Sequence, residues 1–237
     1  MPAKRTKHAE QLTLHLPTWG GARKGAGRKR EAPRPTVAHE VREEVRSYEP
    51  LHITMRIREG VPSLRADAAW ATIVRVLQRF RGRENLQIVH YAVLANHLHL
   101  IGECSDRVAL GRGMRRLAVW LARELNRTFG RRGKVFDGRY HARGLSTPTE
   151  VRNVLRYVLL NARHHAEERG EQLPRDWIDP RSTGVLFDGW RDPPRLSATT
   201  PDLGTSPARS WLLRTGWRTH GLIAIDDTPG PAPRART

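Results

Sequence analysis

Residues Leu86–Cys104 read LQIVHYAVLANHLHLIGEC, two runs rich in Val, Ile, Leu and Tyr separated by Ala95-Asn96. Such residues favour a pleated, half-buried chain, and the short polar break between them predicts a β-hairpin with strands over 86–94 and 97–104. Strand side chains alternate between faces, so His97 and His99 point the same way with Cα atoms about 6.6 Å apart, while Leu98 and Leu100 enter a core on the other side. Two imidazoles on one face are able to converge on a single metal ion. The alternative for an isolated His-x-His is a pair of partly exposed histidines without a ligand.

Working outward, Leu51–Ile57 reads LHITMRI, whose alternation predicts a first strand with Leu51, Ile53, Met55 and Ile57 facing the core. Ala68, Ala69, Ile73, Val76, Leu77 and Phe80 then recur at helical spacing, with Ser63 as candidate cap and Gly82 as terminator. After the hairpin, Ser105 is placed to cap a helix carrying Val108, Leu110, Met114, Leu117, Trp120, Leu121 and Leu125, whose other face is dense in arginine. GRRGKVFDGRYHARG, Gly130–Gly144, supplies a turn and a short strand. Thr147-Pro148 opens a third helix, with Thr147 as cap and Pro148 at the first helical position, and Val151, Val154, Leu155, Val158, Leu159 and Ala162 as its buried stripe. The order strand, helix, two strands, helix, strand, helix predicts an α+β protein of ferredoxin-like, split βαβ type: an antiparallel sheet with helices on one face.

Around this domain, placed at 50–185, lie two extensions. Residues 1–49 hold the basic, Gly-rich run GGARKGAGRKR and no hydrophobic period, the composition of a flexible arm in which Arg28, Lys29 and Arg30 are candidate phosphate contacts. A phosphate-binding P-loop is excluded, because Ala26 stands where the lysine must be. Residues 186–237 form an irregular C-terminal extension, partly disordered, in which Ser210–Ile225 has enough apolar residues to pack back or to dock a partner.

The chain has 237 residues with 42 Lys and Arg against 24 Asp and Glu, a formal net charge of +18. An excess on this scale points to a polyanion partner, nucleic acid first. Ser105–Arg169 carries 15 of the cations against 6 carboxylates, so the charge gathers on the elements that would flank the histidine pair. No stretch is long and apolar enough for a membrane span or a signal peptide, which excludes a membrane protein and leads to a cytoplasmic expectation. Cys104 is the only cysteine, which rules out an intramolecular disulfide and a cysteine-built zinc site.

Tyr157 and Asn161, four residues apart on the third helix, share one of its faces. A tyrosine hydroxyl is a candidate nucleophile toward a phosphodiester, although a phenol in water ionises only near pH 10 and needs help to lose its proton. An Asn carbonyl oxygen is a ligand for Mg²⁺ or Mn²⁺. Arg152, Arg156 and Arg163 on the same stretch, with Arg115, Arg116, Arg123, Arg127 and Arg139 before it, are candidate DNA contacts. His52, His90, His141, His164 and His165 read as structural or exposed, with His141 a candidate phosphate contact.

Taken with these motifs, His97-Leu98-His99 resembles the His-hydrophobic-His element of the HUH single-strand nucleases. YAVLAN before it and LIGE after it resemble its setting in the IS200-like single-tyrosine transposases, and RYVLLNARHHA from Arg156 is similar to the tyrosine helix of the REP-associated tyrosine transposases. The tyrosine helix departs in reading Asn161-Ala162 where that branch has Asn-Pro, and in carrying Asn where the wider family has Gln. The resemblance covers residues 50–185. It implies that His97, His99 and Asn161 bind Mg²⁺ or Mn²⁺ and that Tyr157 is the nucleophile. The enzyme, a monomer or a homodimer, would then cleave and rejoin single-stranded DNA at hairpin-forming sites through a 5′-phosphotyrosine link. The competing expectation is a non-catalytic DNA- or RNA-binding regulator on the same scaffold.

Overall fold

The period-2 alternation of β1 (Leu51–Arg56) divides the sheet into two chemically different faces. The computed structural model describes residues 45–47, 49–193 and 201–227, all within the unit spanning 37–237. β1 lies between β3 (His97–Cys104) and β4 (His141–Gly144), and β2 (Leu86–Val93) flanks β3, giving the antiparallel order β2-β3-β1-β4. With α1 (Asp67–Phe80) linking β1 to β2 and α2 (Arg107–Thr128) linking β3 to β4, this is the split βαβ sheet that the element order implies. Arg28, Lys29 and Arg30 lie outside the described residues.

On one face Leu51, Ile53, Met55, Leu98 and Leu100 meet Ile73, Leu77 and Phe80 of α1 and Leu110, Met114, Leu117 and Leu121 of α2. On the other face His52, Thr54 and Arg56 stand opposite Ile101, His99 and His97. The expectation of helices on one face holds for α1 and α2. α3 (Pro148–Leu159) covers the opposite face, where Val151, Val154, Leu155 and Val158 pack with Val89, Ala92 and Ile101. A β-bulge at Ile88/His90 makes this double coverage work for β2. It inverts the strand's parity, so that Leu86, Ile88, Tyr91 and Val93 all reach the first core while Val89 and Ala92 reach the second.

Local chemistry sets the helix ends. Thr147 and Glu150 form a capping box at α3 with Pro148 at its first position, as the sequence predicts. At α2 the cap is Asp106, whose carboxylate accepts from Ala109 N at 2.8 Å, and Ser105 donates to Asp106 instead of capping. At α1 the cap position is Ala66, and Ser63 accepts from Arg65 N within the preceding turn. The single helix expected through Ala162 stops at Leu159. Leu160, at φ −103° and ψ 7°, interrupts the helix, and α4 (Asn161–Glu168) begins at the next residue.

Beyond α4 the chain returns to the sheet. Arg181–Thr183 lines the free edge of β2, where Arg181 O accepts from Val93 N at 2.9 Å and Thr183 Oγ1 from Tyr91 N at 3.0 Å, which blunts that edge against strand addition. Arg65 forks onto Asp179 with two hydrogen bonds of 2.8 Å. Then α5 (Trp211–Arg214) and the 3-10 turn Gly216–His220 lay Leu212, Leu213 and Trp217 into the second core. The C-terminal extension therefore packs back, and α3 lies between it and the sheet.

Candidate active site

Three histidines and one tyrosine gather on the face that α3 covers. His97 Nε2 and His99 Nε2 are 3.0 Å apart. On the far side of its ring, His99 Nδ1 lies 3.1 Å from His52 Nε2 and 3.2 Å from Thr54 Oγ1. His97 Nδ1 lies 2.6 Å from Asn96 Oδ1. The register explains the assembly, because Thr54 pairs with His99 and Arg56 with His97 across the β1–β3 ladder. α3 brings the Tyr157 ring to 5.2 Å from that of His99 and 5.9 Å from that of His52, both edge to face.

The tautomer of each ring sets what the two Nε2 atoms do. A neutral imidazole carries one N–H, so a His97 that donates from Nδ1 to Asn96 Oδ1 leaves its Nε2 as a lone pair. A His99 that donates from Nδ1 to His52 or Thr54 does the same. In those tautomers two lone pairs face each other at 3.0 Å, an arrangement that a bound cation would satisfy. Neutrality is favoured at this site. Burial first, then neighbouring His52, His97 and His165, pushes His99 down to about 2. Burial, then His165 and Arg56, lowers His97 to about 4. His52 is lowered to about 4 by burial, then by Arg143 and His141. Among the described residues no three His, Cys, Asp or Glu side chains form a metal-holding group, since His52 and His97 meet opposite edges of the His99 ring. A third protein donor would be of another type. Asn161, fully buried at the start of α4, has neither side-chain oxygen nor nitrogen hydrogen-bonded. Two neutral imidazoles and a carboxamide oxygen are donor types that a divalent cation such as Mn²⁺ accepts.

The other expected site residues divide. Arg163 is only 4% exposed, and its guanidinium donates to the carbonyls of Pro174, Arg175 and Trp177. Its expected role in holding DNA is corrected to tying down a loop. Arg152 donates to Gly221 O and Leu222 O, and Arg156 pairs with Asp227 at 2.9 Å, so both hold the C-terminal extension on α3 instead of presenting free cations. Arg115, Arg116, Arg123 and Arg127 of α2 are exposed, on the face of the sheet away from the histidines. Arg116 pairs with Glu84 at 2.8 Å and Arg127 with Glu124 at 2.6 Å. Arg139 is exposed in the loop before β4.

Sequence reasoning gave no site role to His52, Thr54, Arg56 and His165, reading the two histidines as structural or exposed. The first three share the parity of the polar face in LHITMRI, a signal that was present but carried no information about which strand lies beside β1. His165 lines the cleft of about 750 Å³ that also holds His97, Arg56, Asn96 and Arg65.

No family model and no curated protein matches this chain. Among solved structures it is similar to a REP-associated tyrosine transposase bound to a REP hairpin, at 15% identity and a TM-score of 0.48, over 62% of this chain and 82% of that one. It is also similar to a proposed transposase from Deinococcus radiodurans, at 14% identity and a TM-score of 0.37, over 60% of this chain and all of that one. Both neighbours carry the name transposase. The functional reading of this chain rests on its own site geometry.

Proposed function

We propose that this protein is a transposase-type endonuclease that cuts and rejoins single-stranded DNA at hairpin-forming sites through a phosphotyrosine link. The observation that carries the reading is the arrival of Tyr157 from α3 beside His99, whose Nε2 faces that of His97 at 3.0 Å. A Mg²⁺ or Mn²⁺ ion bound by His97, His99 and Asn161 would supply Lewis-acid polarisation of the scissile phosphate. Tyr157 is the nucleophile: its oxygen bonds to phosphorus, the bond to the 3′ oxygen breaks, and that oxygen leaves with a proton as a free hydroxyl. The 5′ phosphoryl group stays on Tyr157, so the bond energy is kept for rejoining. Asn96, His52 and Thr54 hold the two imidazoles in the tautomers the site needs.

The test is incubation of a labelled hairpin oligonucleotide with the protein and Mg²⁺ or Mn²⁺, followed by denaturing electrophoresis. A covalent protein–DNA adduct is expected, and Tyr157→Phe should abolish it while oligonucleotide binding stays within severalfold. Cleavage that persists in Tyr157→Phe rules out the nucleophile. A wild type that binds the hairpin and never forms the adduct is a binding protein.

A further inference from the structure

α2 has two glycines in its N-terminal half, and packing accounts for only one of them. A Cβ on Gly113 would lie 2.7 Å from the Cβ of Leu86, so the helix needs glycine there to lie against β2. A Cβ on Gly111 would meet no atom within 4 Å. Glycine weakens a helix interior relative to alanine, so the open space in front of Gly111 has no explanation in the fold.

That space is a cleft of about 430 Å³ between α2, the end of β1 and the loop before β4, within the roughly 300–1,000 Å³ of small-ligand sites. Its floor is apolar and partly aromatic, from Met114 and Phe136. Its rim is Arg56, Arg115 and Arg139, all exposed, and among the described residues nothing is hydrogen-bonded or ion-paired to their guanidinium groups. An aromatic floor under a cationic rim takes a base by its face and the adjoining phosphates by charge. Arg56 also lines the larger cleft that holds His97 on the opposite face of the sheet. The two clefts therefore open at the same end of β1 with one arginine between them.

We propose that the cleft before Gly111 is a nucleotide subsite. One base of the single strand enters it, while the chain crosses the rim at Arg56 to reach the phosphate at His97; this path rests on the strand-cleaving reading above. Asp137, the one carboxylate on the lining, accepts from an exocyclic amino group and so favours adenine, cytosine or guanine over thymine.

The test is fluorescence anisotropy with a labelled hairpin oligonucleotide carrying a single-stranded tail, in excess EDTA, so that binding is read without cleavage. Gly111→Phe, with Gly111→Met as a second plug should the larger ring unfold α2 by circular dichroism, fills the cleft and leaves every charge in place. Tenfold or weaker binding is expected, with an unchanged salt slope. Arg139→Ala should weaken binding and flatten the slope of log K against log salt by somewhat less than one. Plugged variants that bind within twofold of wild type overturn the subsite and leave the Tyr157 reading standing. Tight wild-type binding, lost on plugging, with no covalent adduct when metal is restored sinks the cleavage reading and keeps the subsite. A wild type that does not bind the oligonucleotide overturns both.

Discussion

His52 lies on the opposite side of the His99 ring from His97, and in the proposed site its use is to fix which nitrogen of His99 is free. Partners of this kind orient metal-binding imidazoles, and losing one typically costs about 10–100-fold in metal affinity. His52→Phe should weaken Mn²⁺ binding by that factor in calorimetry, and His52→Gln, which keeps an acceptor, should recover part of it. Equal affinities in both variants would remove His52 from the site. A second histidine, on β2 opposite Ile101, gives a pH signature of its own. His90 sits against Phe187, with Nδ1 3.3 Å from Thr183 Oγ1, and burial lowers it to about 4 against a slight opposing pull from Asp188. Between pH 4 and 6.5 the unfolded chain binds the proton and the folded one does not, so stability is complete above 6.5 and falls as pH drops toward 4. His90→Gln should shrink the difference between urea midpoints at pH 7 and pH 5; an unchanged difference would show that His90 titrates normally. The histidine pair was legible in the sequence because strand period alone puts positions 97 and 99 on one face. The fate of Arg163 was not, because its burial depends on a loop fourteen residues further on folding back over it.

At the scale of elements, the reading from sequence was good where the signal is local. The capping box of α3, the hairpin and the stripe of α2 all follow from short-range pattern, and the α2 cap missed by one residue because Ser105 and Asp106 are both competent and only the geometry chooses. Three features were not legible. The bulge in β2 breaks the simple alternation from which faces are read, the interruption at Leu160 has no proline or glycine to announce it, and the packing of α3 on the second face depends on what covers its outer side. That cover is centred on Trp217, 1% exposed, which stacks on Phe187 at 5.4 Å and donates to Leu213 O at 3.0 Å. Trp217→Ala should lower stability by about 3–5 kcal/mol in urea unfolding. A loss under 1 kcal/mol would mean that the extension contributes little to the second core.

On the whole molecule, charge and chemistry are separated by the sheet. The catalytic candidates lie on the face under α3, where three nearby arginines are engaged in holding the chain together. The exposed arginines of α2 lie on the other face. The composition pointed to a polyanion, and only the coordinates divide the cations into structural and presented ones. No described helix is long and apolar enough to cross a membrane. A chain ending at residue 207 keeps Leu203 in the first core and loses Trp217, Ile223 and the carbonyls that Arg152 grips. It should keep the α1/α2 core by circular dichroism while losing hydrogen-exchange protection selectively in α3. Full protection of α3 in the truncated chain would show that the sheet alone holds it.

The clasp on α3 also sets an order in time. Chains leave the ribosome from the N-terminus, and most of the first core has emerged once α2 has, with Val135 and Leu203 still to follow. The helix that carries Tyr157 finds its outer support only after Trp217 has followed, so translation that stalls in between yields a partly folded chain with Tyr157, the proposed nucleophile, unseated. A strand-breaking activity would in this way be withheld from unfinished copies.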